Sequence, residues 1–322
     1  MKIKLADKND IEKIDMRDVY CRKIVEMMKE DSRVYALDAD LLNSIGLGGF
    51  QKELPDRIID CGIQEANMVG VAAGMSATGL IPFVHTFGVF ATRRVYDQVF
   101  LSCGFSKWNV KIVGSDPGIN AAYNGGTHMP FEDAGIMRNV PNAVILEPTD
   151  GTMLENIITQ VKDSYGLHYI RLTRRGSRKV YNEGSEFDIG KAAEICDGKD
   201  VTIIACGYCV VEAINAAGIL KGKGISAKVI DMFTIKPIDK ETIVRAAKET
   251  GAIVTAENHS IINGLGSAVA EVLGENIPVP LERVGVKDEF GEVGDVEYLA
   301  KRFGIKAENI ADAALRATSR KK

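Results

Sequence analysis

Short apolar runs alternate with longer helical patterns along most of this chain, and that rhythm points to parallel α/β architecture. The first set of runs is Val34-Tyr35-Ala36-Leu37, Ile58-Ile59-Asp60, Ile81-Pro82-Phe83-Val84, Val110-Lys111-Ile112-Val113, Ala143-Val144-Ile145-Leu146 and His168-Tyr169-Ile170-Arg171-Leu172. Between them, Met16 to Lys29 places Val19, Ile24, Val25 and Met28 at helical spacing, and Glu65 to Thr78 carries small residues that permit close packing. A polar stretch from Arg174 to Gly190 interrupts the pattern, which restarts at Val201–Ala205, Ser226–Ile230 and Ala252–Thr255. The expected fold is two parallel-sheet α/β domains, residues 1–185 and 186–322.

The formal net charge of -4, with acids and bases interspersed, leaves no basic surface for nucleic acid or an anionic membrane. No apolar stretch approaches the ~20 residues of a membrane span, and the charged N-terminal segment is unlike a signal peptide. A cytoplasmic location with small-molecule or protein ligands is expected. Six cysteines are few for this length and read as reduced thiols. Cys206 and Cys209 have redox-like spacing at a strand-to-helix junction, where a helix N-terminus lowers thiol pKa, but no second pair completes a metal site. Turn packing is the expected role.

Open parallel sheets bind ligands beyond the carboxyl ends of their strands. The residues following successive runs are Asp38 and Asp40, Gln64 and Glu65, His85-Thr86-Phe87, Ser115-Asp116, and Arg174-Arg175. An acid, aromatic rings and an arginine pair on one edge suit an apolar ring system and an anionic substrate. The competing reading is that loops place polar residues at strand ends regardless.

The same positions carry a family likeness. Asp38-Ala39-Asp40-Leu41-Leu42-Asn43-Ser44, Leu54-Pro55-Asp56-Arg57 and Gly62-Ile63-Gln64-Glu65-Ala66-Asn67-Met68 resemble the pyrimidine-binding domain of transketolases. The segment from Pro82 to Val99 is similar to the family's aromatic segment, and Gly125-Gly126-Thr127-His128-Met129-Pro130 to its histidine loop. Ile230 to Asp239 and Glu257 to Ser267 resemble the transketolase C-terminal domain. The likeness covers practically the whole chain and implies dependence on thiamine diphosphate.

It also implies an absence, because such enzymes hold the diphosphate through Mg²⁺ (or Ca²⁺) in a domain marked by Gly-Asp-Gly, and this sequence contains none. No metal ligands are expected in this chain. The likeness points to a split transketolase whose N-terminal partner subunit supplies that domain, in an α2β2 assembly.

The resemblance then gives roles. Glu65 is expected to hydrogen-bond the aminopyrimidine, favouring the imino tautomer that generates the thiazolium ylide. As a buried carboxyl without an adjacent cation it is expected to have a raised pKa; the plainer alternative is a helix-start acid serving the dipole. Phe87 and Phe90 would stack on the pyrimidine, with Asp40 near the cofactor. His128 would hydrogen-bond donor hydroxyls and shuttle a proton. Arg17 and Arg174 match phosphate-binding positions. His85 fills a site usually held by a small residue, while His259 is expected to be structural and His168 to lie at the surface or in packing.

Two positions depart from the family. Asp116 stands where a substrate-facing histidine is usual, and Asn124 where an aspartate is usual. The resemblance implies transfer of a two-carbon ketol unit from a ketose phosphate to an aldose; both changes alter charge in the donor channel, which opens a non-standard sugar phosphate or another anionic ketose as an alternative to xylulose phosphate. The alternatives are a deoxyxylulose-phosphate-synthase-like subunit, a 2-oxoacid dehydrogenase beta-type subunit and a non-catalytic regulatory subunit.

Overall fold

The protein is described here from a computed structural model covering residues 1–7, 10–176 and 178–321. Helix α1 (Met16–Glu30) precedes β1 (Val34–Asp38), and the short helix α2 (Leu42–Ile45) leads to β2 (Ile58–Asp60). Then come α3 (Glu65–Ala77), β3 (Ile81–Phe87), one turn of helix α4 (Gly88–Ala91), a π-helical stretch at Gln98–Phe105, and β4 (Lys111–Ser115). Helix α5 (Asp133–Arg138), β5 (Val144–Leu146), α6 (Gly151–Asp163) and β6 (His168–Leu172) follow.

The remainder contains β7 (Ala193–Cys196), β8 (Val201–Ala205), α7 (Tyr208–Gly222), β9 (Ala227–Asp231), β10 (Thr234–Lys236) and α8 (Lys240–Thr250). It ends with β11 (Ile253–Ser260), α9 (Leu265–Asn276), β12 (Leu281–Val286), α10 (Val296–Arg302) and α11 (Ala307–Ser319).

Two sheets result, with strand orders β10-β5-β6-β4-β3-β1-β2 and β12-β11-β8-β9-β7. Among the described residues, the strand pairs within these sheets are parallel except β10 with β5 and β7 with β9. The central strands are buried end to end because helices cover both faces, which explains their continuous apolar runs. The edge elements β7, β10 and β12 are absent from the expected pattern. Thr234–Lys236 in particular joins the other sheet, a long-range pairing that local hydrophobicity does not encode.

The first sheet reverses direction around β1, with β2 on one side and β3 on the other. This arrangement opens a crevice at the carboxyl ends of β1 and β3. The second sheet reaches the same edge through β11. Asn258 accepts from the Ile119 amide at 2.9 Å and donates to the Pro117 carbonyl at 2.9 Å, bracing the loop after β4. Gly118 takes a φ of 53° there, and a side chain at that position would collide with Asn258.

Candidate active site

Asp38 and His85 are register partners on β1 and β3. His85 Nδ1 lies 2.6 Å from Asp38 Oδ2, and its Nε2 lies 3.1 Å from the Ser115 hydroxyl; all three residues are buried. This chain of polar contacts ties three strand ends together beneath the crevice. It gives the unusual histidine a structural reason to be there.

Glu65 opens α3 with its side chain 5% exposed. Arg94 Nη1 donates to Glu65 Oε1 at 2.5 Å, and Arg94 Cζ sits 3.7 Å from the centre of the Phe90 ring. The expectation of a carboxyl without an adjacent cation is therefore wrong. Arg94 lies in the turn after α4 ends at Ala91, and its guanidinium lies on the Phe90 ring and reaches the acid beyond it, a contact that the sequence alone did not signal.

Phe87 and Phe90 lie with ring centres 6.1 Å apart, and His128 packs edge-on against them at 5.8 and 5.4 Å. Thr127 Oγ1 is 2.9 Å from His128 Nδ1. The loop carrying this histidine approaches the Gly291 backbone so closely that a side chain on Gly126 would meet the Gly291 carbonyl oxygen.

On the other side of Phe87, Arg174 Cζ lies 5.4 Å from the ring centre. Its guanidinium forks onto Asp116, with Nη2 2.8 Å from Oδ2 and Nε 3.2 Å from Oδ1, and Nη1 donates to the Ser44 hydroxyl. Asp116 has a φ of 59°, a left-handed conformation that aspartate tolerates better than most residues. Burial pushes its carboxyl up, while Arg174, His85 and Arg175 oppose that rise.

Glu65, Arg94, Phe90, His128, Phe87, Arg174 and Asp116 thus form one continuous line of contacts. Asn124 lines the same 470 Å³ cleft as Asp116 and Arg174. Arg17 stands at its margin, donating to the Ser44 carbonyl at 3.2 Å while ion-paired 3.6 Å from both Asp15 and Asp18. Asp40 is exposed on the loop after β1, where its amide is taken by the Asp60 carboxylate at 3.0 Å. No contact among the described residues joins its side chain to the line.

The remaining residues singled out from sequence lie outside this line. His259 is buried, with its pKa held down to about 4 by burial and by Arg171, and Gly135 N–H donates to its Nε2 at 3.3 Å. His168 is buried 3.0 Å from Lys111 Nζ, with its pKa pushed down to about 3 by burial and that cation. Cys206 and Cys209 are fully buried, and burial raises both thiols instead of the helix terminus lowering them. Cys206 Sγ donates to Glu147 at 3.3 Å.

Two family models match the chain: Transketolase, pyrimidine binding domain, over residues 12–179, and Transketolase, C-terminal domain, over residues 190–310. A 6-deoxy-6-sulfo-D-fructose transketolase subunit, SqwH, from Clostridium sp. (strain MSTE9) is 51% identical over 95% of each chain. Transketolase of Homo sapiens is 34% identical over 94% of this chain but 49% of its own length. Among solved structures, a split gene transketolase in an inactive beta4 tetramer has a TM-score of 0.88 and 40% identity, covering 96% of this chain and 99% of its own.

Proposed function

The chain belongs to the transketolase family, and we propose that it is the subunit of a split transketolase that supplies Glu65 and the donor cleft for ketol transfer. The donor is a ketose with an anionic end, and the acceptor is an aldose. The observation that carries this reading is the continuous line from Glu65 through the two phenylalanines to Arg174, which joins an acid, a stacking surface and the guanidinium wall of the cleft in one crevice.

The residues fit an aminopyrimidine. Arg94 presents a flat face to Phe90 and an N–H to the Glu65 carboxylate, so a planar group making those two contacts has its place already shaped. Thiamine diphosphate supplies, when bound, a carbon nucleophile able to carry a two-carbon ketol unit. Glu65 holds a proton at the pyrimidine nitrogen, Phe90 and Phe87 stack on the ring and exclude water, and His128 moves a proton at the donor hydroxyl. Asn124 and Arg174 line the donor's path, with Arg17 beside them at the cleft margin and Asp40 at the cofactor side. The diphosphate and its Mg²⁺ belong to the partner subunit, because the Gly-Asp-Gly signature of that function is missing here.

If Arg94 holds the pyrimidine's place, Arg94→Met should tighten binding of a free aminopyrimidine, 4-amino-5-hydroxymethyl-2-methylpyrimidine, to the isolated chain. About tenfold is expected by titration calorimetry, equivalent to about 1.4 kcal/mol. Unchanged or weaker binding contradicts that competition.

The name of the 51% identical relative and the Asp116 substitution together favour a sulfonated donor, 6-deoxy-6-sulfofructose, over a pentulose phosphate. With partner subunit, thiamine diphosphate and Mg²⁺ present, kcat/KM for sulfofructose should exceed that for xylulose phosphate by at least about tenfold. Efficient turnover of xylulose phosphate alone would sink the donor assignment.

A further inference from the structure

The cleft beside Phe87 contains three arginines in unequal states. Arg174 is 14% exposed and forked onto Asp116, whose side chain is 5% exposed. Arg178 Nη1 lies 3.2 Å from Glu212, whose carboxyl is 2% exposed, and Lys306, which also approaches Glu212 at 3.6 Å, is itself paired with Glu297 at 2.9 Å. Arg175 is exposed in the same cleft and makes no hydrogen bond or ion pair among the described residues. Each ion-paired cation faces a carboxylate, leaving Arg175, whose charge reaches Asp116 through space, without an ion pair among the described residues.

We propose that Asp116 is a specificity-determining residue: by engaging Arg174 within the protein, it leaves Arg175 as the receptor for a donor ending in a monoanionic sulfonate and disfavours one ending in a phosphate dianion. The proposal rests on the ketol-transfer reading above and assigns the anionic end of its donor.

The chemistry separates these two ligands clearly. A phosphate monoester carries about -1.5 to -2 charge at pH 7, whereas a sulfonate remains at -1. An additional negative charge brought near the buried Asp116 carboxylate is repelled in a medium that screens far less than water. A sulfonate can accept from the Arg175 fork without bringing that second charge. Asp116→Asn removes the charge but keeps the size; the guanidinium of Arg174 is then free to pair with a dianion.

The test uses the assembled enzyme with 6-deoxy-6-sulfofructose and fructose 6-phosphate as competing donors. Wild type should favour the sulfonate, and both Asp116→Asn and Asp116→His should shift the kcat/KM ratio toward phosphate by about tenfold to a hundredfold, chiefly through KM. Arg175→Gln, at an exposed position, should raise KM for the sulfonate about tenfold with little change in kcat. Asp116 variants that keep the wild-type ratio, or an Arg175→Gln enzyme with wild-type KM, overturn the proposal while leaving ketol transfer from sulfofructose intact. A wild type that prefers fructose 6-phosphate overturns both the proposal and the sulfonated-donor assignment. Failure to transfer from either donor, in a complex active with uncharged erythrulose, overturns the anionic-donor reading itself.

Discussion

Glu65→Ala in the assembled enzyme is expected to lower kcat by about 10²- to 10⁴-fold while leaving the fold and the subunit contact in place. The argument is one of position. Glu65 lies at the first residue of α3, where a carboxylate gains about 0.3–1 kcal/mol from the helix dipole. Its nearest polar partner is Arg94, 44% exposed, so removing the acid leaves the partner cation open to solvent and not buried unpaired. A purely structural acid would therefore cost a small fraction of the folding free energy and leave turnover intact. An acid that holds the pyrimidine proton would do the reverse. Measuring kcat and the unfolding midpoint on the same preparation separates the two, and a Glu65→Ala complex with full activity would support the regulatory-subunit alternative.

The largest stability effect is expected at Arg171. It is fully buried, with Nε 2.8 Å from Asp133, Nη1 bonded to Glu147, and Nη2 donating to the Asn258 carbonyl at 3.0 Å. Tyr169 donates to the same Asp133 carboxylate at 2.6 Å. Arg171→Met keeps an apolar stem but leaves two buried carboxylates uncompensated and releases the strand that braces the loop after β4. A loss of about 3–5 kcal/mol is expected, out of a total that is typically about 5–15. That would lower Tm by about 4–7 °C for cooperative unfolding of a chain this long.

The pH dependence has a definite sign. Arg171 holds Asp133 below the usual carboxylate range despite burial, so this stabilisation is present above the ordinary aspartate pKa and lost as pH falls through the folded value. Without the arginine, burial favours the protonated form of Asp133 in the folded state. The deficit of Arg171→Met relative to wild type should then shrink between pH 7 and pH 5 in denaturant titrations. An unchanged or widening deficit contradicts this account of the charge cluster.

The sequence and the structure agree where the physics is local. Apolar runs located the central strands because both faces are covered, and β6 begins and ends at the expected residues. Glu65, Phe87, Asp116 and Arg174 stood out because each ends or follows a strand or opens a helix, and the sheet order gathers them, whereas Phe90 and His128 came from the family likeness and Arg94 was not read. What was hidden depends on distant partners. Thr234–Lys236 pairs with a strand nearly ninety residues earlier in the chain, and the apolar pattern of three residues does not reveal its destination. Arg174 reads as a free anion receptor in sequence, but in space Asp116 engages it. The role of His85 became apparent only when β1, β3 and β4 were adjacent.

The most direct test of the central claim is ketol transfer measured while the diphosphate-holding partner is titrated into a fixed amount of this chain, with thiamine diphosphate, Mg²⁺ and sulfofructose in excess. The account predicts no turnover by this chain alone and a rate that rises to a plateau at equal subunit amounts. Turnover by this chain without the partner would contradict the division of one active site between two subunits.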